Sequence, residues 1–421
     1  MFFILPLAGH HFNMPTVVIA PCNVAGFPEG GGHFWVYLQY ALALQQLGCE
    51  VYWLEAFRTK GRERQEQAAL ETFLGRMQRW GLSDKVIIYR TDAENASPDL
   101  PSEYLVSNRE QAEAVFRRAD LLLNFHYAIS PALVGSFRRT ALVDIDPGLL
   151  QFWMSRAQID VPRHDFYFTI GEGVCRSASK VPSTGLNWLQ INPAICLDYW
   201  PCVFDARHDA FTTVSIWDSS DWIVDVYETY ENTKRVAFLP FAELPRLTGQ
   251  PLELALFLRT SRDFEDRRML ESKGWRIRLS IEAARTPELY QAYIQNSRGE
   301  FSCAKPSYVK FQTAWVSDRT VCYLASGKPV VVQDTGPSDF LPNGQGMFRF
   351  KTVESAAEAI ATINANYEKH SRAARQIAEA FFDARRVVAR ILDTTFSSER
   401  TAKESMPLRV ADRKMSALTL Q

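Results

Sequence analysis

Residues Cys322 to Gly336 read CYLASGKPVVVQDTG. The pattern is helical as far as Ser326, and Gly327 and Pro329 then break it. The run Val330 to Val332 is apolar and β-branched on both faces, as a strand buried in a parallel sheet must be. It stops at Asp334, Thr335 and Gly336. In an open parallel sheet ligands bind beyond the carboxyl ends of the strands, so these small and polar residues stand where chemistry is expected. The stretch predicts an α/β sheet and turns attention to whatever lies opposite its strand ends.

Outward from it, the same alternation recurs along the chain. In the first half TVVIA (Thr16 to Ala20) precedes HFWVYLQYALALQQLG at helical spacing and then EVYWLEA, which makes one βαβ unit. A helix from Gln65 to Trp80, KVIIYR, a helix from Arg109 to Ala119, DLLLNF, ALVDID and FYFTIGEG follow. From Val161 to about Arg207 the periodicity fades into loops rich in Pro, Gly and Trp. It then restarts with FTTVSIW, LELALFL, a helix from Phe264 to Lys273, WRIRLS, a helix from Pro287 to Asn296, and GEFSCA. The fold class is therefore α/β, with two doubly wound Rossmann-like domains facing across a cleft. The expected division is an N-terminal domain over 1–205, a C-terminal domain over 206–398, and a mobile tail over 399–421. A last helix, about Ala373 to Ile391, is expected to cross back over both. The halves should meet only across the cleft, near Arg207 and through that helix, so that ligand binding closes a hinge.

Composition agrees with two ordinary cores: 421 residues, 47% apolar and 12% aromatic. A formal net charge of -1 without long runs of one sign gives no specific nucleic-acid or membrane-surface signal. The seven cysteines form no Cys-x-x-Cys pair and read as reduced thiols, so a cytoplasmic protein is expected. The opening MFFILPLAG lacks a basic flank and ends at His10 and His11; it reads as a loose leader or upstream start rather than a signal peptide. No apolar run approaches the roughly 20 residues of a transmembrane helix.

Opposite Asp334 to Gly336, the loop after the first strand is PCNVAGFPEGGGHF. Gly30, Gly31 and Gly32 run into a helix start, where backbone can approach a ligand closely and free N–H groups attract phosphate. The loop matches neither the dinucleotide fingerprint nor a Walker A motif, and Glu55 after the second strand is insufficient by itself for a nicotinamide site.

Taken with this loop and the tandem architecture, FSCAKPSYVKFQTAWVSDRTVCYLASGKPVVVQDTG followed by LPNGQGMFRF resembles the GT-B class of nucleotide-sugar glycosyltransferases. It is most similar to bacterial family-1-like members. The resemblance runs from about Met14 to Ile391 and is strongest over Phe301 to Phe350. It implies a nucleotide-sugar donor held mainly by the C-terminal domain, an unidentified acceptor held by the N-terminal one, and no cofactor beyond the donor. Many retaining members carry two glutamates where this chain has Ala314 and Cys322. That departure keeps two alternatives in view: a catalytically silent binder of nucleotide sugars or glycans, and a nucleotide-sugar epimerase.

Sugar transfer builds negative charge on the leaving diphosphate, which calls for cations and N–H dipoles aimed at it. Lys305 and Arg319 are the expected donor-binding cations, with Asp318, Asp334, Thr335 and Gly336 beside them; Asp318 also fits a plain helix-capping role. Both cations are expected at a cleft edge, where their removal would leave stability nearly unchanged. A general base for the acceptor hydroxyl is sought among His33, His126, Asp144, Asp146 and Glu172, all just past strand ends. Asp144-Ile145-Asp146 spells a metal-binding pattern of another fold, but its place on the acceptor side argues against a metal here. Trp188 and Trp200 read as packing before sugar stacking. Gly31→Val is expected to block the loop without disturbing the fold. The sugar, the base, the acceptor, the stereochemistry and the oligomeric state are not legible.

Overall fold

The computed structural model describes residues 14–91, 99–219 and 222–397; the apolar opening and the tail over 399–421 lie outside the described residues. The first sheet comprises β1 (Thr16–Ala20), β2 (Glu50–Arg58), β3 (Val86–Thr91), β4 (Leu121–Asn124), β5 (Thr140–Asp144), β6 (Phe166–Thr169) and β7 (Trp188–Gln190). They lie side by side as β3-β2-β1-β4-β5-β6-β7, every pair parallel. The second half contributes β8 (Phe211–Ile216), β9 (Trp222–Val224), β10 (Thr229–Glu231), β11 (Leu252–Phe257), β12 (Arg276–Leu279), β13 (Gly299–Ser302), β14 (Val330–Gln333) and β15 (Met347–Phe350). Its parallel sheet runs β12-β11-β8-β13-β14-β15, and β9 with β10 forms a separate antiparallel hairpin. Both sheets reverse their winding beside their first strand, at β1 and at β8. Such a switch point opens a crevice at the strand ends.

Residue chemistry accounts for the elements that face this crevice. All residues of β1, β4 and β5 are buried, as the centre of a sheet covered on both faces requires. The first helix, Gly31–Gln46, has no polar face along most of its length: Phe34, Trp35, Tyr37, Leu38 and Tyr40 through Leu44 are all buried. A helix that is apolar all round must be covered all round. Here it packs against helix Ala384–Ser397 on its own side and helix Pro287–Gln295 of the second half.

That packing corrects the expectation that the halves touch only at a cleft, a linker and a last helix. One apolar core runs without a gap from Val17 and Ile19 through Trp35 and Trp200 to Tyr290, Val321 and Val330. Trp35 donates its indole N–H to the Pro287 carbonyl at 2.9 Å, and fully buried Trp200 is wedged between Trp35 and Tyr290. Trp188 packs in β7 against Tyr167, 5.5 Å between ring centroids. The single long helix expected near the C terminus is two, Tyr367–Ile377 and Ala384–Ser397, with an intervening π-turn. The break falls at Asp383, where the backbone leaves helical geometry and Ile195 exchanges hydrogen bonds with Phe382 and Ala384.

Candidate functional site

Between the two switch points lies a cavity of about 360 Å³ lined by both halves. Sheet order arranges its second-half wall. Phe257 at the end of β11, and Ser280, Ile281 and Ala284 after β12, form an apolar flank on one side of β8. Lys305 after β13, with Tyr308, Trp315, Asp318 and Arg319 beyond it, form a charged and aromatic flank on the other. From the first half come Gly30 to Gly32, His33, Tyr37 and Asp146.

Three cations converge on the charged flank: Lys234, Lys305 and Arg319. Arg319 is itself buried, and its Nε donates to Glu300 at 2.8 Å, one terminal nitrogen to the Val214 carbonyl at 2.8 Å, and the other to Ser302 Oγ at 2.5 Å. Burial works against its charge, but Glu300 together with Tyr290 and Tyr323 more than offsets it, and the guanidinium stays firmly protonated. The expectation of an edge cation with no core to support is corrected on this point. Lys305 heads helix Pro306–Lys310. Lys234, which sequence reasoning missed, follows the Thr233 cap of helix Lys234–Phe238, donates to the Cys303 carbonyl and stands over the Trp315 ring. Burial, then the neighbouring charge of Arg319, lowers its pKa to about 7. The available signal was its position just after a threonine cap, at the head of a helix in the segment between β8 and β11.

Facing the cations, the first helix begins at Gly30 with no side-chain cap. Its glycines serve close packing: a Cβ on Gly31 would lie 2.2 Å from the Thr286 carbonyl oxygen and 2.5 Å from that of Ala284, and one on Gly32 would meet the Tyr290 ring at 2.6 Å. Gly31 is therefore buried against the opposite domain, which corrects the expectation that Gly31→Val leaves the fold undisturbed. His33 Nε2 lies 2.7 Å from the Cys22 carbonyl, which can only accept. The ring proton thus sits on Nε2 and the lone pair on Nδ1. Burial holds its pKa below the ordinary histidine value, opposed by the Cys22 carbonyl and by Asp146. Asp146 accepts from the Tyr308 hydroxyl across the domain seam, and Tyr308 stacks on Trp315 at 4.3 Å. The Trp315 indole N–H is buried without a partner. Burial raises the pKa of Asp318, although Arg319 pulls it down.

Other expected site residues lie outside this cavity. Asp144 is fully buried beneath it and accepts from Tyr127, Gln151, Thr169 and the Asp146 N–H, at 3.2, 2.8, 2.9 and 2.9 Å. Burial raises it to about 6 against those donors. All its lone pairs are engaged, so it holds the β5–β6 ends and orients Asp146. Glu172 accepts from Ser338 Oγ, the Asp339 N–H and Arg176, at 2.5, 2.8 and 2.6 Å, which makes it a clasp between the halves. His126 lines a different, first-half cavity of about 1180 Å³ with Arg58, Lys60, Arg90 and Ser130; burial lowers its pKa to about 4. Asp334 pairs with Lys351 at 3.5 Å, and Thr335 donates to the Trp315 carbonyl at 2.9 Å. Gly336 has φ of +122° and lies against Gln312. The Asp334-Thr335-Gly336 end of β14 therefore braces the loop carrying Trp315 from behind. Among the described residues, no group of three or more His, Cys, Asp or Glu side chains is placed to hold a metal ion. No described helix is long and apolar enough to cross a membrane.

No protein-family model and no curated protein sequence matches the chain. Solved structures do. A sucrose-phosphate synthase from Thermosynechococcus elongatus is 14% identical with a TM-score of 0.51, covering 90% of this chain and 98% of its own. HepE from Anabaena in complex with UDP-glucose is 13% identical with a TM-score of 0.55, covering 91% of this chain and 100% of its own. An alpha-glucosyltransferase in complex with UDP and a 13-mer DNA is 9% identical with a TM-score of 0.57, covering 91% of this chain and 100% of its own. At these identities the likeness concerns the fold, and the fold is GT-B.

Proposed function

We propose that the protein is a glycosyltransferase that moves a sugar from a nucleotide donor to an acceptor hydroxyl. The observation carrying this reading is the convergence of Lys234, Lys305 and Arg319, from three separate elements, on a crevice opposite the uncapped start of the first helix. Cations and N–H dipoles so placed stabilise the negative charge that builds on a departing diphosphate. The donor base lies on the apolar flank of Phe257, Ile281 and Ala284, and the diphosphate on the cations. The transferred sugar lies towards Trp315, Tyr308 and Asp146. His33, with its lone pair on Nδ1, is the candidate base or sugar contact from the acceptor side, and Asp146 the candidate carboxylate. The first-half cavity beside His126 is the candidate acceptor site. The solved structures with this fold include proteins crystallised with UDP or UDP-glucose, which supports the same ligand class here.

One observation favours a second reading, a binder without turnover: Ala314 and Cys322 cannot make the carboxylate contacts of many retaining enzymes. Incubation with a panel of nucleotide sugars separates the readings. Release of nucleoside diphosphate with a glycosylated acceptor or free sugar is expected. Binding without diphosphate release would leave the silent reading, and an epimerised donor would identify an epimerase.

A further inference from the structure

The three cations of the cleft are not equally provided for. Arg319 is neutralised by Glu300 at 2.8 Å. Lys234 forms no ion pair among the described residues; its ammonium meets a carbonyl oxygen and the Trp315 ring, 5.3 Å from the centroid. The ionisable groups facing it are Arg319 from helix Asp318–Ala325, Lys305 at the head of helix Pro306–Lys310, Glu300 on β13, and the thiol of Cys303 just beyond that strand. Glu300 is engaged by Arg319, and burial keeps the Cys303 thiol protonated. Asp146 and Asp318 line the same cavity, but among the described residues neither forms an ion pair with Lys234, so its ammonium has no counter-ion of its own.

We infer that binding of a nucleoside diphosphate group draws a proton into this cleft and that Lys234 receives it. The inference rests on the donor site proposed above and adds a coupling to it. In the free protein, burial and then Arg319 hold the Lys234 amine at about 7, so near pH 8 most molecules carry it neutral. A diphosphate brings negative charge beside Lys234, which has no ion-pair partner of its own among the described residues, and stabilises the ammonium form. The sign follows from linkage. Affinity is flat below about pH 7, where Lys234 is already charged. Above it, affinity falls by up to about tenfold per pH unit until the amine of the complex itself titrates.

UDP-glucose is a suitable probe because both of its phosphates are diesterified and exchange no proton between about pH 6.5 and 8.5. Calorimetric titration at pH 8 in Tris and in HEPES, whose ionisation enthalpies differ, should give different heats corresponding to uptake of a large fraction of one proton. Lys234→Arg keeps a charge that does not titrate, and should bind with equal net heats in the two buffers and a flat pH profile. Lys234→Met should bind more weakly and also without uptake. Wild-type binding with no buffer dependence and no fall in affinity from pH 6.5 to 8.5 would overturn the coupling and leave the donor site standing. Retention of wild-type uptake by Lys234→Arg or Lys234→Met would move the proton elsewhere and overturn the assignment. Absence of binding to any nucleotide sugar would overturn both the coupling and the reading beneath it.

Discussion

Arg319 spends much of its guanidinium inside the protein, on Glu300, Ser302 and the Val214 carbonyl. Its truncation would strand Glu300, which is 0% exposed, as an uncompensated buried charge. Arg319→Ala should therefore lower unfolding stability by about 3–5 kcal/mol, read from the urea midpoint, besides weakening any phosphate ligand. A midpoint within error of wild type would show the pair to be dispensable. Lys305, at the lip of the same cavity and only partly buried, should behave differently. Lys305→Ala should weaken nucleoside diphosphate binding by about 10- to 150-fold, a loss of about 1.5–3 kcal/mol, with the free nucleoside unaffected and thermal stability little changed. Equal calorimetric affinities in Lys305→Ala and wild type would remove it from the site. The sequence shows two cations just past strand ends, but it does not show which of them has a buried partner. Glu300 reads there as one more residue of GEFSCA, and only the packing of helix Asp318–Ala325 on β13 brings it beneath Arg319.

The first helix and the loop before it form much of the first-half wall of the cleft. Gly31 has no room for a side chain because the Ala284 and Thr286 carbonyls approach its Cα directly. Gly31→Ala should force the halves apart, reducing thermal stability and enlarging the radius of gyration, whereas a turn glycine would tolerate the methyl group. Unchanged scattering and melting would mean that the contact does not form in solution. The glycine run was legible as a special place, but its reason was not, since the opposing backbone lies more than 250 positions away along the chain. Long strands and amphipathic helices were legible for the usual reason: their burial pattern repeats within a few residues. β7 and the β9–β10 hairpin were not, each strand being only three residues long. The hairpin is stabilised by what it meets in the other half: Ile223 against Leu149 and Phe152, and Asp225 in a two-pronged pair with Arg156 at 3.0 and 2.9 Å.

Across the whole molecule, the halves are joined by a continuous core and by polar clasps at Glu172–Ser338, Arg156–Asp225 and Asp146–Tyr308. These contacts describe a closed arrangement. A hinge that admits the donor would break these clasps and part some of this core, and the bound donor is expected to restore both. Small-angle scattering should give the radius of gyration of this arrangement with donor present and a larger one without it. The same value in both conditions would count against hinge access. Two doubly wound halves were legible from alternating strands and helices; the closeness of their contact was not, because no local pattern distinguishes a side chain buried within one half from one buried between two. The central claim, that the cleft is built for a nucleoside diphosphate, is tested most directly by thermal unfolding in the presence of nucleosides, monophosphates, diphosphates and nucleotide sugars. A ligand at about 100 times its dissociation constant adds about 2.7 kcal/mol to the folded state. Stabilisation by at least one diphosphate or nucleotide sugar, with little from the matching nucleoside, is the expected result; unfolding curves that no diphosphate moves would contradict the claim.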